Sequence, residues 1–258
     1  MPASDLEILT DAALEAGKIA SGYFGGSYTS EDKPGGAGPV TEADLAVNVM
    51  LEQTLRAERP GYGWLSEESD DSAVRLGRDR VFIVDPLDGT RSFINGETTW
   101  AHSMAVAEQG TVVAAVIYLP MRDRLYTAAK GAGATLNGQP IRASKRRALK
   151  GATLLAAKPA LRPEWWRGGQ VPEVKRVYRP SLAYRLALVA EGRYDAMLTL
   201  RDSWEWDIAA GALILEEAGA AVTDRTGAPL RFNNRHPQVA GVVAAAVGVH
   251  GELRGALA

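Results

Sequence analysis

Cysteine is absent from this sequence. Its absence excludes disulfides, thiolate nucleophiles and zinc–cysteine centres, and it is compatible with a reducing compartment. Long apolar runs are absent too, since none approaches the ~18 residues of a bilayer-spanning helix. The first residues, Met1 to Thr10, are acidic and amphipathic, unlike a signal peptide, so a cytoplasmic location is expected. Nor is there an excess of positive charge. Lys and Arg number 29 against 31 Asp and Glu, for a net charge of -2 and a pI of about 6.0. That balance argues against a nucleic-acid polymer as partner. It is compatible with a small anionic substrate, because a bound cation can reverse the sign of a site locally. No internal repeat or low-complexity tract interrupts the chain.

The 258 residues, 46% hydrophobic and 23% charged, suit one globular unit or two halves sharing a core. A chain of this length buries roughly 70–75% of its unfolded surface without staples. Leu6, Leu9, Ala13, Ala16, Ala20 and Tyr23 recur every three or four residues. They predict a first helix capped by Ser4 or Asp5 and stopped at Gly25-Gly26. Lys33-Pro34-Gly35-Gly36-Ala37-Gly38 reads as a mobile loop. Thr41 caps a second predicted helix reaching about Arg56, with Val47, Met50, Leu51 and Leu55 as its buried stripe. Val81 to Val84 is a continuous apolar run, expected as a buried strand that ends at Asp85. Residues 103–108 and 111–118 pair around Gln109-Gly110, and Asn137-Gly138 signals a second hairpin. Helices are expected over Ser181 to Glu191 and Asp207 to Ala218, with a strand over Tyr194 to Leu200 between them. Hairpins early and alternation late predict an α/β (α+β) fold. The basic run Lys145-Arg146-Arg147 is expected as a solvated surface run and as the seam between a half of residues 1–145 and one of residues 146–258.

The acids of interest are Asp44, Glu67 of the Glu67-Glu68 pair, Asp85 with Asp88, and Asp207. Each alone has a structural explanation: Asp44 can complete a capping box with Thr41, Asp207 can cap its helix, Glu67-Glu68 can be a solvated loop, and Asp85 to Gly89 can be a capped turn. Their co-occurrence at strand ends and helix starts favours one shared site. Asp44 projects from the apolar face of its helix, where a lone carboxylate is costly. Pro86 favours leaving the strand, and Gly89 permits a sharp turn and close backbone approach to a ligand. Carboxylates as close as Asp85 and Asp88 repel unless a hard divalent cation lies between them. Mg²⁺ accepts carboxylates, carbonyls such as that of Leu87, and phosphate oxygens. Gly89, Thr90 and Arg91 are expected to open a short helix whose free N–H groups form an anion site.

The string Val84-Asp85-Pro86-Leu87-Asp88-Gly89-Thr90 resembles the central motif of the inositol monophosphatase family, and Trp206-Asp207-Ile208-Ala209-Ala210-Gly211 resembles its second signature. Val40-Thr41-Glu42-Ala43-Asp44 and Ser66-Glu67-Glu68 are similar to its two smaller motifs, in the same order and with similar spacing. The resemblance covers nearly the whole chain. It implies a layered sandwich of alternating helices and sheets with the site between the halves. It implies a homodimeric, Mg²⁺-dependent, Li⁺-sensitive phosphomonoesterase that hydrolyses a small phosphate ester in line. A first ion would be held by Glu67, Asp85 and the Leu87 carbonyl, a second by Asp85, Asp88 and Asp207, and a weaker third would touch Glu67. Thr90, supported by Asp44, would orient the nucleophilic water, and the Gly89 and Thr90 N–H groups would hold the phosphate.

Some residues depart from the family pattern. Ser66 stands where glycine is common. Arg91-Ser92-Phe93 replaces a common Thr/Lys-Asn-Phe. Leu200, seven positions before Asp207, stands where inositol-specific members carry an acid. Ser181-Leu182-Ala183-Tyr184-Arg185 and Leu188 to Gly192 look closer to the bacterial 3'(2'),5'-bisphosphate nucleotidase branch. There Arg185 would meet a second phosphate, or else lie exposed on its helix. Lys33 can close over the metals or be a solvated loop lysine. The candidate substrates are 3'(2'),5'-bisphosphate nucleotides and inositol monophosphates, then histidinol phosphate or fructose 1,6-bisphosphate. A catalytically silent phosphate- or partner-binding protein is the alternative of another class. His102 is expected as a packed histidine, Trp165-Trp166 as surface or interface packing, and Trp204 and Trp206 as supports for Asp207.

Overall fold

Reciprocal caps start both N-terminal helices. Ser4 Oγ accepts from Glu7 N while Glu7 accepts from Ser4 N, which begins α1 (Asp5–Tyr23). The chain then forms a short antiparallel pair, β1 (Ser30–Asp32) and β2 (Pro39–Thr41). Thr41 and Asp44 make a second box that begins α2 (Glu42–Glu58), packed against α1. The computed structural model describes residues 3–33, 35 and 38–258. Pro34, Gly36 and Ala37 of the expected mobile loop lie outside the described residues.

A seven-stranded sheet follows. Its order is β3 (Gly63–Ser66), β4 (Arg80–Asp88), β5 (Ala101–Glu108), β6 (Thr111–Leu119), β7 (Arg124–Ala129), β8 (Gly133–Leu136) and β9 (Gln139–Pro140), with a short α3 (Thr90–Ile94) between β4 and β5. β3 and β4 run parallel and all other neighbours antiparallel. Both hairpins fall where the sequence predicts. Gln109-Gly110 and Asn137-Gly138 each have positive φ at both residues, the twist that matches flanking strands.

The rest of the chain contains β10 (Thr153–Ala156), β11 (Lys175–Val177), α4 (Leu182–Ala190), β12 (Ala196–Thr199), β13 (Ser203–Trp204), α5 (Glu205–Glu217), β14 (Ala220–Thr223), β15 (Gln238–Val239), β16 (Val242–Ala246) and α6 (Val247–Ala256). The second sheet has the order β11-β10-β12-β16-β14, with β10, β11 and β12 mutually parallel. β13 and β15 form a separate pair.

Burial explains the layering. Phe82 and Val84 of β4 face α1 and α2, while Val81 and Ile83 face the opposite way, toward α4 and α5. The apolar run is continuous because both faces of that strand are covered. Helices α4 and α5 are apolar on nearly every side because they lie between the two sheets, sharing a core with Ala105, Met197 and Ala244. Trp166, Leu253 and α6 close the outer face of the second sheet. The result is helix, sheet, helix, sheet, helix, the layered α/β sandwich expected from the sequence. Among the described residues, no helix is long and apolar enough to cross a membrane.

Several boundaries differ from expectation. Strand β4 does not stop at Asp85. It continues to Asp88 across an irregularity in which the register passes from Asp85 opposite Ser103 to Asp88 opposite Ala101. The bulge absorbs Pro86, which has no N–H for a ladder. Helix α5 starts at Glu205, so Asp207 lies inside its first turn and Trp204 is the N-cap. β12 starts at Ala196 rather than Tyr194. Trp166 is a core residue rather than surface packing, with Nε1 donating to Ala160 O at 3.2 Å, whereas Trp165 is exposed.

Candidate metal and phosphate site

The parallel register of β3 on β4 brings the first two acids together. Ser66 pairs with Val84, so Glu67 and Asp85 emerge side by side, and Glu67 N donates to Val84 O at 3.1 Å. Asp207 arrives from far along the chain, on α5. Ser103, the partner of Asp85 on β5, donates from Oγ to Trp206 O at 3.0 Å, which ties the residue before Asp207 to the strand beside Asp85. Trp204 and Trp206 stack at 4.8 Å with 7° between their planes, supporting that turn as the sequence suggests. Glu67, Asp85 and Asp207 each place a carboxylate oxygen within 4.8 Å of the other two.

Their electrostatics are strained. Burial, then the negative charges of Glu67, Asp88 and Asp207, holds the Asp85 carboxyl well above the usual carboxylate range. Burial, then Asp88 and Glu67, does the same to Asp207. Asp85 Oδ1 accepts from Leu87 N at 2.9 Å, but its buried Oδ2 has no hydrogen-bond partner among the described residues. Such an orphan is costly unless something positive meets it. Hard carboxylate oxygens, crowded and under-neutralised, fit a hard divalent cation such as Mg²⁺.

Asp88 stands beside this triad with a second task. Its Oδ2 accepts from Ser181 Oγ at 2.7 Å and from Ala183 N at 2.6 Å, so it caps the first turn of α4. Burial still pushes it up to about 6 against those two donors.

Thr90 follows directly. Gly89 has φ +103, and a Cβ there would lie 3.4 Å from Thr99 O and Trp100 Cα. Only glycine suits that left-handed, close-packed position. The first helical bond of α3 is Ser92 N to Gly89 O at 2.8 Å, which leaves the preceding N–H groups of Thr90 and Arg91 without helix partners. Thr90 Oγ1 lies 3.1 Å from Asp44 Oδ1 and 3.2 Å from Leu87 O. The other oxygen of Asp44 accepts from Thr41 N at 2.9 Å. Asp44 therefore caps α2 and holds Thr90 at once, and the two explanations of its burial are both true. Burial raises its pKa, and the Thr41 and Thr90 donors offset that only in part.

Lys33 is not a solvated loop lysine. Its Nζ lies 2.8 Å from Glu67 Oε1 and also bonds Glu68. Burial works to lower its pKa, but the two glutamates outweigh it and raise the group. Burial, against the Lys33 hydrogen bond, pushes Glu68 up to about 7. Arg185 is not an exposed helix arginine either. It is 7% exposed, donates to the carbonyls of Arg179 and Pro180, and lies over the Tyr178 ring at 4.8 Å. Burial lowers its pKa, and the charges of Tyr178, Asp88 and Asp207 oppose that.

Sequence reasoning missed other members. Asn48 accepts from Ser66 Oγ at 2.7 Å and donates to Glu68 O at 3.2 Å, fixing the turn that carries Glu67. Its position one helical turn after Asp44, on the same buried face, was the available signal. Arg75 is buried and bonds Asp71, Asn233 and the Asn234 carbonyl, while Glu205 accepts from Asn233 N and Asn234 N. This network ties the segment after β3 to the Asn233-Asn234 turn and to the start of α5, and nothing local announces it. His102 is packed, as expected. Its Nδ1 bonds Pro86 O across the bulge, and burial pushes it down to about 4.

A family-wide sequence profile described as "Inositol monophosphatase family" matches residues 1–258. The Inositol-1-monophosphatase of Rhizobium meliloti (strain 1021) is 36% identical over 236 residues, covering 86% of this chain and 86% of that protein. The Nus factor SuhB of Escherichia coli (strain K12) is 34% identical over 231 residues, covering 86% and 85%. In three dimensions the chain is similar to the Thermotoga maritima IMPase, with a TM-score of 0.82 and 28% identity over 97% of this chain and 95% of that one.

Proposed function

This chain belongs to the inositol monophosphatase family, and from that premise we propose that it is a Mg²⁺-dependent phosphomonoesterase acting on a small phosphorylated metabolite. The observation that carries this reading is the convergence of Glu67, Asp85 and Asp207 around a buried, unpartnered Asp85 oxygen. Glu67, Asp85, the Leu87 carbonyl, Asp88 and Asp207 would hold two Mg²⁺ ions, with a weaker third at Glu67. Bound there, the ions would supply a more acidic water and neutralise charge on the phosphoryl oxygens.

The chain's own groups do the rest. Thr90 Oγ1 donates to Asp44 and keeps lone pairs free to accept from the attacking water. The Gly89 and Thr90 N–H groups hold phosphate oxygens. Lys33 is bonded to Glu67 and Glu68 and would be free to meet the phosphate where bound cations neutralise those carboxylates. Arg185 contributes positive charge on the Asp88 side.

The preferred substrate is a 3'(2'),5'-bisphosphate nucleotide, with an inositol monophosphate next, because Leu200 offers no carboxylate for inositol ring hydroxyls. Histidinol phosphate and fructose 1,6-bisphosphate follow. The second reading is a catalytically silent binding protein, and its support is the similarity to relatives named Nus factor SuhB. The test is phosphate release from 3'-phosphoadenosine 5'-phosphate and from inositol 1-phosphate, with Mg²⁺ and with chelator. Mg²⁺-dependent release supports the hydrolase, and the ratio ranks the substrates. No release from folded protein, on these or on a wider panel of phosphate esters, favours the silent protein.

A further inference from the structure

Strand β4 carries one extra residue opposite β5. Asp85 pairs with Ser103 and Asp88 with Ala101, so Pro86 and Leu87 together face His102 alone. His102 reaches across this bulge, and its Nδ1 bonds Pro86 O. Burial keeps the ring neutral near neutral pH, pushing it down to about 4, so it carries one proton. A carbonyl only accepts, which places that proton on Nδ1 and leaves Nε2 bare. The buried Nε2 has no hydrogen-bond partner among the described residues. The ring is fully enclosed, with Trp100 centred at 5.6 Å and Tyr118 at 6.4 Å, so it has little freedom to turn away from Pro86. A core position that had only to pack would be better served by an apolar side chain, because a buried bare nitrogen is costly.

The bond to Pro86 reaches Asp85. The Pro86 carbonyl and the Leu87 N–H belong to one trans peptide unit, whose two polar groups point in opposite directions. Leu87 N donates to Asp85 Oδ1 at 2.9 Å. His102 and Asp85 therefore hold the same peptide plane from opposite sides. A hydrogen bond accepted by the carbonyl polarises the unit and strengthens its N–H as a donor. With Oδ1 engaged, it is Oδ2 of Asp85 that is left without a partner among the described residues. The next carbonyl, Leu87 O, lies 3.2 Å from Thr90 Oγ1, so turning this peptide would disturb Thr90 as well.

We propose that His102 is a positioning residue for the acid cluster, clamping the Pro86-Leu87 peptide so that Asp85 presents Oδ2 to a cation. This role rests on the metal-dependent reading for the ion itself, whereas the clamp belongs to the chain. His102 touches neither ion nor substrate. It acts through the peptide, as groups that orient a metal ligand do.

Three variants separate positioning from packing. His102→Leu fills the core but removes the donor. His102→Asn places an amide N–H near the position of Nδ1 while packing worse. His102→Gln carries its amide out toward the position of Nε2. Mg²⁺ affinity is measured by calorimetry, with the melting temperature in chelator alongside. The expected result is that His102→Leu and His102→Gln bind Mg²⁺ about tenfold or more weakly than wild type, and that His102→Asn recovers most of the loss. A role in packing alone predicts another order, with His102→Leu the best of the three. Wild-type affinity in His102→Leu, or weaker binding in His102→Asn than in His102→Leu, would overturn the clamp. Should His102→Leu not fold, His102→Asn against His102→Gln decides on the same terms. Mg²⁺ binding by a wild type that releases phosphate from no ester would sink the hydrolase and leave this comparison standing. If the wild type binds no Mg²⁺, the Leu87 amide resonance decides. An upfield move of its proton in His102→Leu that His102→Asn reverses keeps the clamp although the metal reading fails, and an unmoved resonance sinks it.

Discussion

Asp88 and Ser181 lie 93 residues apart in sequence and meet in a hydrogen bond of 2.7 Å from Ser181 Oγ to Asp88 Oδ2. An acid at the end of β4 thus caps α4. Ser181 also accepts from Tyr184 N at 3.0 Å, so Ser181→Ala removes both a helix cap and a donor to Asp88. Thermal unfolding should show a loss of about 1–2 kcal/mol. Turnover should fall less than for Asp88→Asn, because Ala183 N still holds Asp88. Ser181→Thr should recover most of both. Unchanged stability in Ser181→Ala would show that the contact carries no weight.

Asp44 and Thr90 allow stability to be separated from chemistry. Asp44→Asn keeps an oxygen for the Thr41 cap but loses the charge facing Thr90. Turnover should drop by about 10²–10⁴, with little change in melting temperature. Asp44→Ala should lose the same activity and roughly 1 kcal/mol of stability besides. Wild-type turnover in Asp44→Asn would remove this pair from the reaction.

Gly211 explains why the second signature ends in glycine. A Cβ there would lie 2.5 Å from Leu186 Cδ1 and 2.6 Å from Leu186 Cβ, wedging α4 and α5 apart. Gly211→Ala should cost about 1–3 kcal/mol in chemical denaturation. It should also weaken Mg²⁺ binding in a titration, because these helices carry Asp207 and the donors to Asp88. Unaltered metal affinity alongside lost stability would uncouple the helix packing from the site.

The crowded acids predict a pH signature. Asp85, Asp88 and Asp207 all titrate above their ordinary range when folded, Asp88 at about 6. Between the ordinary value and the raised one, the folded state binds more protons than the unfolded. Their effect on stability is therefore most favourable at low pH and worsens as pH rises through the raised values. Without metal, Asp207→Asn should melt above wild type, by more at pH 8 than at pH 5. His102, pushed down to about 4, acts in the opposite direction over the same range but is present in both proteins and cancels. Mg²⁺ should raise the wild type more and reverse the order. A wild type more stable than the variant at pH 8 in chelator would show that the acids are not in conflict.

The sequence by itself determined whatever neighbours decide. The caps at Ser4 and Thr41 need residues three positions apart, the hairpins at Gln109-Gly110 and Asn137-Gly138 need only their own φ, and the run from Val81 to Val84 declares a strand covered on both faces. The acid motifs were legible for the same reason, since each is a turn or a helix start. Tertiary structure decided the rest. The continuation of β4 past Pro86 depends on β5, and the start of α5 at Glu205 depends on β15 and the Asn233-Asn234 turn. Whether Arg185 and Lys33 were exposed or engaged was a matter of packing. Arg75 and Asn233 meet across 158 residues, beyond the reach of any periodicity. Above all, Glu67, Asp85 and Asp207 repel one another, and no local preference brings them together. The register of β3 on β4 and the burial of α5 against the first sheet do so, because apolar burial over the whole interface outweighs the repulsion at one point.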